Sequence, residues 1–196
     1  MKRNLLRGRH DDTKEGLESL TKQLKEIGIE LTDITQIIAT HAHGDHYGMA
    51  GTLKRLSKAT VALHRLEKEG NDRMRQGPPD QKRMDQWFKS NGAPPFDPSE
   101  HRGYGPFRHH LMPPAQPDII LQGDETIRIG DNNLQVIWTP GHAPGHVMLY
   151  EANKKLLFSG DHVLPTITPN VSARPDGDNN NPLGQFINSL NNARDL

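Results

Sequence analysis

Residues 37–51 read IIATHAHGDHYGMAG, and four good metal ligands fall within six positions: His41, His43, Asp45 and His46. In extended backbone, side chains two apart point the same way. His41 and His43 can therefore offer imidazoles to one ion, while Asp45 and His46 lie one turn further and can face a second. Imidazole suits zinc, iron, copper and nickel, and a carboxylate adds a hard oxygen that can also orient water. Three histidines this close would be poor core residues without a partner. The competing reading is a histidine-rich surface loop that chelates adventitiously.

Two later stretches supply what one loop lacks. WTPGHAPGH (138–146) follows the apolar run LQVI, and its Pro140–Gly141 pair sets a sharp turn that exposes His142. LFSGDHVLP (157–165) places Asp161 just past a strand end. A carboxylate there can bridge two cations that share one hydroxide. His146 and His162 read as packing or supporting residues. His64, His101, His109 and His110 read as solvated by default, although His109 and His110 could line the site.

Taken in order, HAHGDH, TPGHAPGH and SGDH resemble the metallo-β-lactamase fold superfamily, from about Gly16 to Asn192 outside a middle insertion. Within it they most resemble the hydroxyacylglutathione-hydrolase-like (glyoxalase II-like) branch. The resemblance implies that His41, His43 and His142 hold a first metal, that Asp45 and His46 hold a second, and that Asp161 bridges them. It implies that Asp45 and Asp161 are the catalytic carboxylates. Two divalent ions are implied, zinc first, with iron or manganese as alternatives. They would bring the pKa of a shared water toward neutrality, giving a hydroxide that attacks a small ester, thioester or lactone. Two other readings stand beside it: an iron-dependent member of the same fold that handles oxygen or sulfur, and an inactive metal-binding remnant.

The implied fold is α/β (α+β), an αββα sandwich. Members usually open with a hairpin ending in an Asp-Thr-Gly-like turn, and carry a last histidine after a further strand. Neither is present in this sequence. The expectation is a single partial domain over residues 1–196, shortened at both ends, with an insertion at about 69–118.

The elements that must position these ligands are legible in outline. TKEGLESLTKQLKEIG reads as a helix with Leu17, Leu20, Leu24 and Ile27 on one face. DITQIIAT (33–40) reads as a buried strand, GMAGTLKRLS as a helix and ATVALHR as the next strand. The ligand cluster thus sits at the carboxyl end of a strand, where open α/β sheets place their sites. Proline- and glycine-rich breakers mark 69–118, with DQKRMDQWFKS as a short helix inside it. There Trp87, Phe88, Phe96, Tyr104 and Phe107 read either as an apolar lid or as a small core of their own. From Ile119, DIIL, ETIRIG, LQVIWT, HVMLYE and KKLLFSG read as a meander. The closing segment reads as a helix capped by Asn181, with Leu183, Phe186, Ile187 and Leu190 as a core stripe.

Composition bounds the partners. Lys+Arg and Asp+Glu balance at 24 each, so no charge footprint suggests nucleic acid or an anionic membrane. No apolar run reaches membrane length. The chain has no cysteine, which removes thiolate zinc sites and fits a cytoplasmic setting. The expected partner is a small-molecule substrate. Leu, Ile, Val and Phe make up only about a fifth of the residues, near the lower bound for folded chains, so the chain is expected to be marginally stable.

Overall fold

The computed structural model describes residues 13–76, 81–92, 115–173, 181–194 and 196. His101, His109, His110, Phe96, Tyr104 and Phe107 lie outside them.

Helix α1 (Lys14–Glu26) starts where Thr13 Oγ1 accepts the Gly16 N–H at 3.0 Å, and buries Leu20. A 3-10 turn (Leu31–Asp33) follows, so the strand expected over 33–40 is trimmed to β1, Gln36–Ile38. Helices α2 (Gly44–Tyr47) and α3 (Ala50–Ser57) carry the chain to β2 (Thr60–His64). Helix α4 (Arg65–Arg75) follows directly, capped by the His64 side chain. Residues 69–75 are therefore helix continuous with the strand–helix unit. Helix α5 (Gln81–Ser90) matches the short helix expected there, and in it Trp87 and Phe88 pack edge to face.

The short strand β3 (Ile119–Leu121) pairs parallel with β2, giving a three-stranded sheet ordered β1-β2-β3. The expectation that DIIL opens the meander is corrected. A three-residue apolar run fits either sheet, and Asp118 decides between them. Its Oδ2 accepts the Val61 N–H at 2.9 Å and its Oδ1 meets Lys54 Nζ at 2.6 Å, which fixes the chain beside β2. The meander proper is β4 (Thr126–Ile129), β5 (Asn132–Trp138), β6 (Val147–Glu151) and β7 (Leu156–Phe158), all antiparallel.

Alternation along β2 builds both cores. Val61 and Leu63 join Ala39, Tyr47, Ala50 and Ala115 on one face. Ala62 faces the other way, toward Leu121, Leu134, Val136, Val147 and Leu149, with Ile38 and Ile127 packed against them. The second cluster is the interior between the two sheets. The chain is thus a mixed helix-and-sheet sandwich, as expected. One backbone bond joins the sheets beside the ligand loop: the Val147 N–H donates to the Thr40 carbonyl at 2.9 Å.

Helix α6 (Pro182–Arg194) is capped as expected, with Asn181 Oδ1 accepting the Gly184 N–H at 2.8 Å. Its stripe is only partly core. Ser189 is buried and donates to the Pro140 carbonyl at 2.9 Å, whereas Leu183 and Ile187 are 58% and 50% exposed. The helix leans on the Pro140–Gly141 turn through Phe186, which belongs to that stripe, and through Ser189 outside it. Among the described residues no helix is long and apolar enough to cross a membrane.

Candidate metal centre

Strand β1 ends at Ile38, the chain bends at Thr40 and His41, and extended His43 is the N-cap of the single-turn helix α2. The rings of His41 and His43 nevertheless converge, with nitrogens 2.9 Å apart, and α2 turns His46 back against the His41 ring, centroids 4.2 Å apart. Tyr47 anchors this turn: its buried hydroxyl donates to the Ala115 carbonyl at 2.9 Å. The Pro140–Gly141 turn, at a Gly141 φ of 141°, brings His142 in from the second sheet. Gly160, at a φ of 53°, delivers Asp161 after β7.

Three ring nitrogens meet in a small triangle. His41 Nε2 lies 2.9 Å from His43 Nδ1, His142 Nε2 lies 3.0 Å from His43 Nδ1, and the third edge is 3.3 Å. Each facing nitrogen is either an N–H or a lone pair. Among three, at least two must be alike, so hydrogen bonds cannot satisfy every edge. A cation can. Tetrahedral zinc with bonds of about 2.0–2.1 Å would set its nitrogens about 3.3–3.4 Å apart, close to the observed edges. The donor set thus fits a divalent ion.

The surrounding contacts aim these nitrogens. His142 Nδ1 donates to the Asn170 carbonyl at 2.7 Å, so Nε2 presents its lone pair to the triangle. His41 is fully buried, and its ring is held well below the ordinary histidine pKa, first by burial and then by His46, His43, His146 and His142. A neutral ring is the form that ligates.

Asp161 lies between the two halves of the cluster. Its Oδ1 is 3.2 Å from His46 Nε2 and its Oδ2 is 3.6 Å from His142 Nε2. One carboxylate therefore reaches both sides. His41, His46 and Asp161 form a second convergent group, with ligand atoms within 4.8 Å of one another. Asp45 stands at the rim, 45% exposed along its side chain, with Oδ2 3.8 Å from His46 Nε2. It belongs to neither convergent group among the described residues.

Supporting residues are now visible. His146 is fully buried, and its Nε2 accepts the Asp161 N–H at 3.2 Å. Its Nδ1 must then donate, and Thr139 Oγ1 receives it at 2.8 Å. Both nitrogens are engaged away from the triangle. Burial, then His162 and the other nearby histidines, push its pKa down to about 3. His162 is buried against the Phe186 ring, with centroids 4.4 Å apart. Neither of its nitrogens has a hydrogen-bond partner among the described residues.

The expectation of a solvated His64 is corrected. The ring is buried, stacks on Trp138, donates from Nε2 to the Gln122 carbonyl at 3.0 Å and accepts the Leu66 N–H at Nδ1. Sequence reasoning also passed over Glu67, a buried carboxylate between the two ligand loops. Nothing in RLEKEG separates it from its solvated neighbours.

Comparison with known proteins gives the family. The family model of the metallo-beta-lactamase superfamily matches residues 8–193. An acyl-coenzyme A thioesterase MBLAC2 from Bos taurus is 31% identical over 161 residues, covering 78% of this chain and 53% of the relative. The hydroxyacylglutathione hydrolase of Cereibacter sphaeroides is 24% identical over 131 residues, covering 67% of this chain and 34% of the relative. The chain thus spans about half or less of the length of these curated relatives. The crystal structure of the metallo-beta-lactamase family protein TTHA1429 from Thermus thermophilus superposes with a TM-score of 0.74 at 32% identity, covering 92% of this chain and 57% of that one. A family match over nearly the whole sequence, joined to a shared fold, leaves one conclusion: this chain belongs to the metallo-beta-lactamase superfamily.

Proposed function

We propose that the cluster is the centre of a metal-dependent hydrolase acting on a small thioester, ester or lactone. His41, His43 and His142 hold one ion, His46 with Asp45 holds a second, and Asp161 reaches both. The observation that carries this reading is the triangle of ring nitrogens at 2.9, 3.0 and 3.3 Å, which hydrogen bonding alone cannot satisfy.

A bound divalent ion supplies Lewis acidity and lowers the pKa of water toward neutrality. The protein residues do the rest. Burial keeps the His41 ring in the neutral form that ligates, and the Asn170 carbonyl directs the His142 lone pair inward. Asp161, its backbone held by His146, keeps a carboxylate across the two groups. Asp45, at the exposed rim 3.8 Å from His46, would accept a proton from incoming water. A thioester is the preferred substrate because two relatives bear the names acyl-coenzyme A thioesterase and hydroxyacylglutathione hydrolase, and both names denote thioester cleavage.

The test is elemental analysis of the purified chain beside a His41→Ala, His43→Ala variant, followed by a panel of acyl thioesters, esters and lactones. Zinc near two equivalents, lost in the variant, with chelator-sensitive hydrolysis supports the proposal. Iron with no hydrolysis points to oxygen or sulfur chemistry instead. No metal in either protein refutes it.

A further inference from the structure

Glu67 lies in the first turn of α4, directly after β2, and is only 7% exposed. Its two carboxylate oxygens serve two different loops. Oε2 accepts the Ala42 N–H at 2.8 Å, and Oε1 accepts the Gly145 N–H at 2.8 Å. Ala42 sits between His41 and His43, and Gly145 sits between His142 and His146. One side chain therefore ties the loop from the first sheet to the loop from the second.

The approach is close and depends on glycine. A Cβ on Gly145 would lie 2.6 Å from His64 Nδ1 and 2.9 Å from the Glu67 backbone nitrogen. Both amides are tied by charge-assisted bonds, which are stronger than neutral ones. A buried N–H left without a partner is costly. Helix α4 and strand β2 give the carboxylate a rigid base, which is what a support for metal ligands requires.

We propose that Glu67 is a positioning residue of the metal centre: it clamps the His41–His43 loop to the His142 loop and sets their spacing before an ion arrives. This rests on the reading that those three histidines hold a metal. Glu67 itself contributes no ligand atom to either convergent group, and acts through the backbone of Ala42 and Gly145.

The experiment uses the whole chain, cobalt(II) as the probe, and the variants Glu67→Gln and Glu67→Asp, with Glu69→Gln as the control. Glu69 lies on the same helix and pairs with Arg65 at the surface. A glutamine accepts through one oxygen only and turns an N–H toward the other amide. Cobalt affinity against a competing chelator and the visible d–d spectrum are read together. Amide exchange at Ala42 and Gly145 is read in the metal-free protein. Glu67→Gln is expected to keep the far-UV signal, to weaken cobalt binding roughly 10- to 100-fold, to change the d–d envelope and to expose both amides. Glu69→Gln is expected to match the wild type. Should the glutamine variant not fold, Glu67→Asp, too short to span both amides, is read by the same titration with the same expectation. Wild-type affinity and spectrum in the folded Glu67 variant overturn this proposal alone. A wild-type chain that takes up no cobalt overturns the metal reading and this proposal with it.

Discussion

His142 Nδ1 donates to the Asn170 carbonyl oxygen at 2.7 Å, and that contact leaves Nε2 facing His41 and His43 with a lone pair. A residue 28 positions away thus fixes which nitrogen of a metal-directed ring is free. His142→Ala should remove the third corner of the triangle. The expected outcome is a loss of at least one bound ion per chain, measured by elemental analysis after dialysis. Unchanged metal content would show that His41 and His43 bind without it.

His146 supports Asp161 from behind. His146→Ala removes the acceptor for the Asp161 N–H and the donor to Thr139 Oγ1, and leaves a cavity at a fully buried position. A loss of about 2–4 kcal/mol in stability is expected, read from denaturant midpoints in the presence of chelator. Metal content should fall at the Asp161 side first.

The turn that delivers His142 depends on Gly141. It holds a φ of 141°, and a Cβ there would lie 2.6 Å from the Phe186 Cα on α6. Gly141→Ala should therefore displace the helix and lower the melting temperature strongly. Gly130 also has a positive φ, 57°, but open space around it. Gly130→Ala should cost only the conformational penalty of about 1–2 kcal/mol. Equal effects in the two variants would refute the packing argument.

Stability should fall in mild acid. His64 is held below its ordinary pKa, first by burial; the Gln122 carbonyl, Glu67 and Glu125 oppose the shift, and Arg65 adds to it. Folded His64 stays neutral where an unfolded histidine protonates, below about pH 6.5. The unfolded chain then binds more protons, so stability is full above that pH and is lost as pH drops toward the folded-state value. Buried His41, His146 and His162 act in the same direction. Denaturant midpoints at about pH 7.5 and about pH 5.5, on either side of the unfolded value, check this in chelator. His64→Gln should show the smaller drop between them.

The candidate ligands are readable because the sequence places several of them close together. His41, His43, Asp45 and His46 sit in one loop, and His142 follows a proline–glycine turn that only a sharp bend explains. Asp161 was readable only through its order after the other two motifs. Glu67 was not readable. RLEKEG alternates charges as a solvated helix does, and only the docking of α4 beside the ligand loops turns one glutamate inward. The burial of His64 is hidden for the same reason, because its partners Trp138 and Gln122 lie far away in sequence. The placement of β3 was hidden because three apolar residues carry no register, and the deciding contact is Asp118 to Val61.

The Val147–Thr40 bond marks where the two sheets join, and the ligands fall on both sides of that join. A cut between Asn91 and Ala115 would leave His41, His43, Asp45 and His46 on one fragment and His142 and Asp161 on the other. Neither fragment holds the three nitrogens of the triangle. An ion seated there would act as a cross-link formed only on reassembly. Fragments mixed with cobalt should therefore develop colour that neither develops alone, and occupancy of the centre would count reunited molecules.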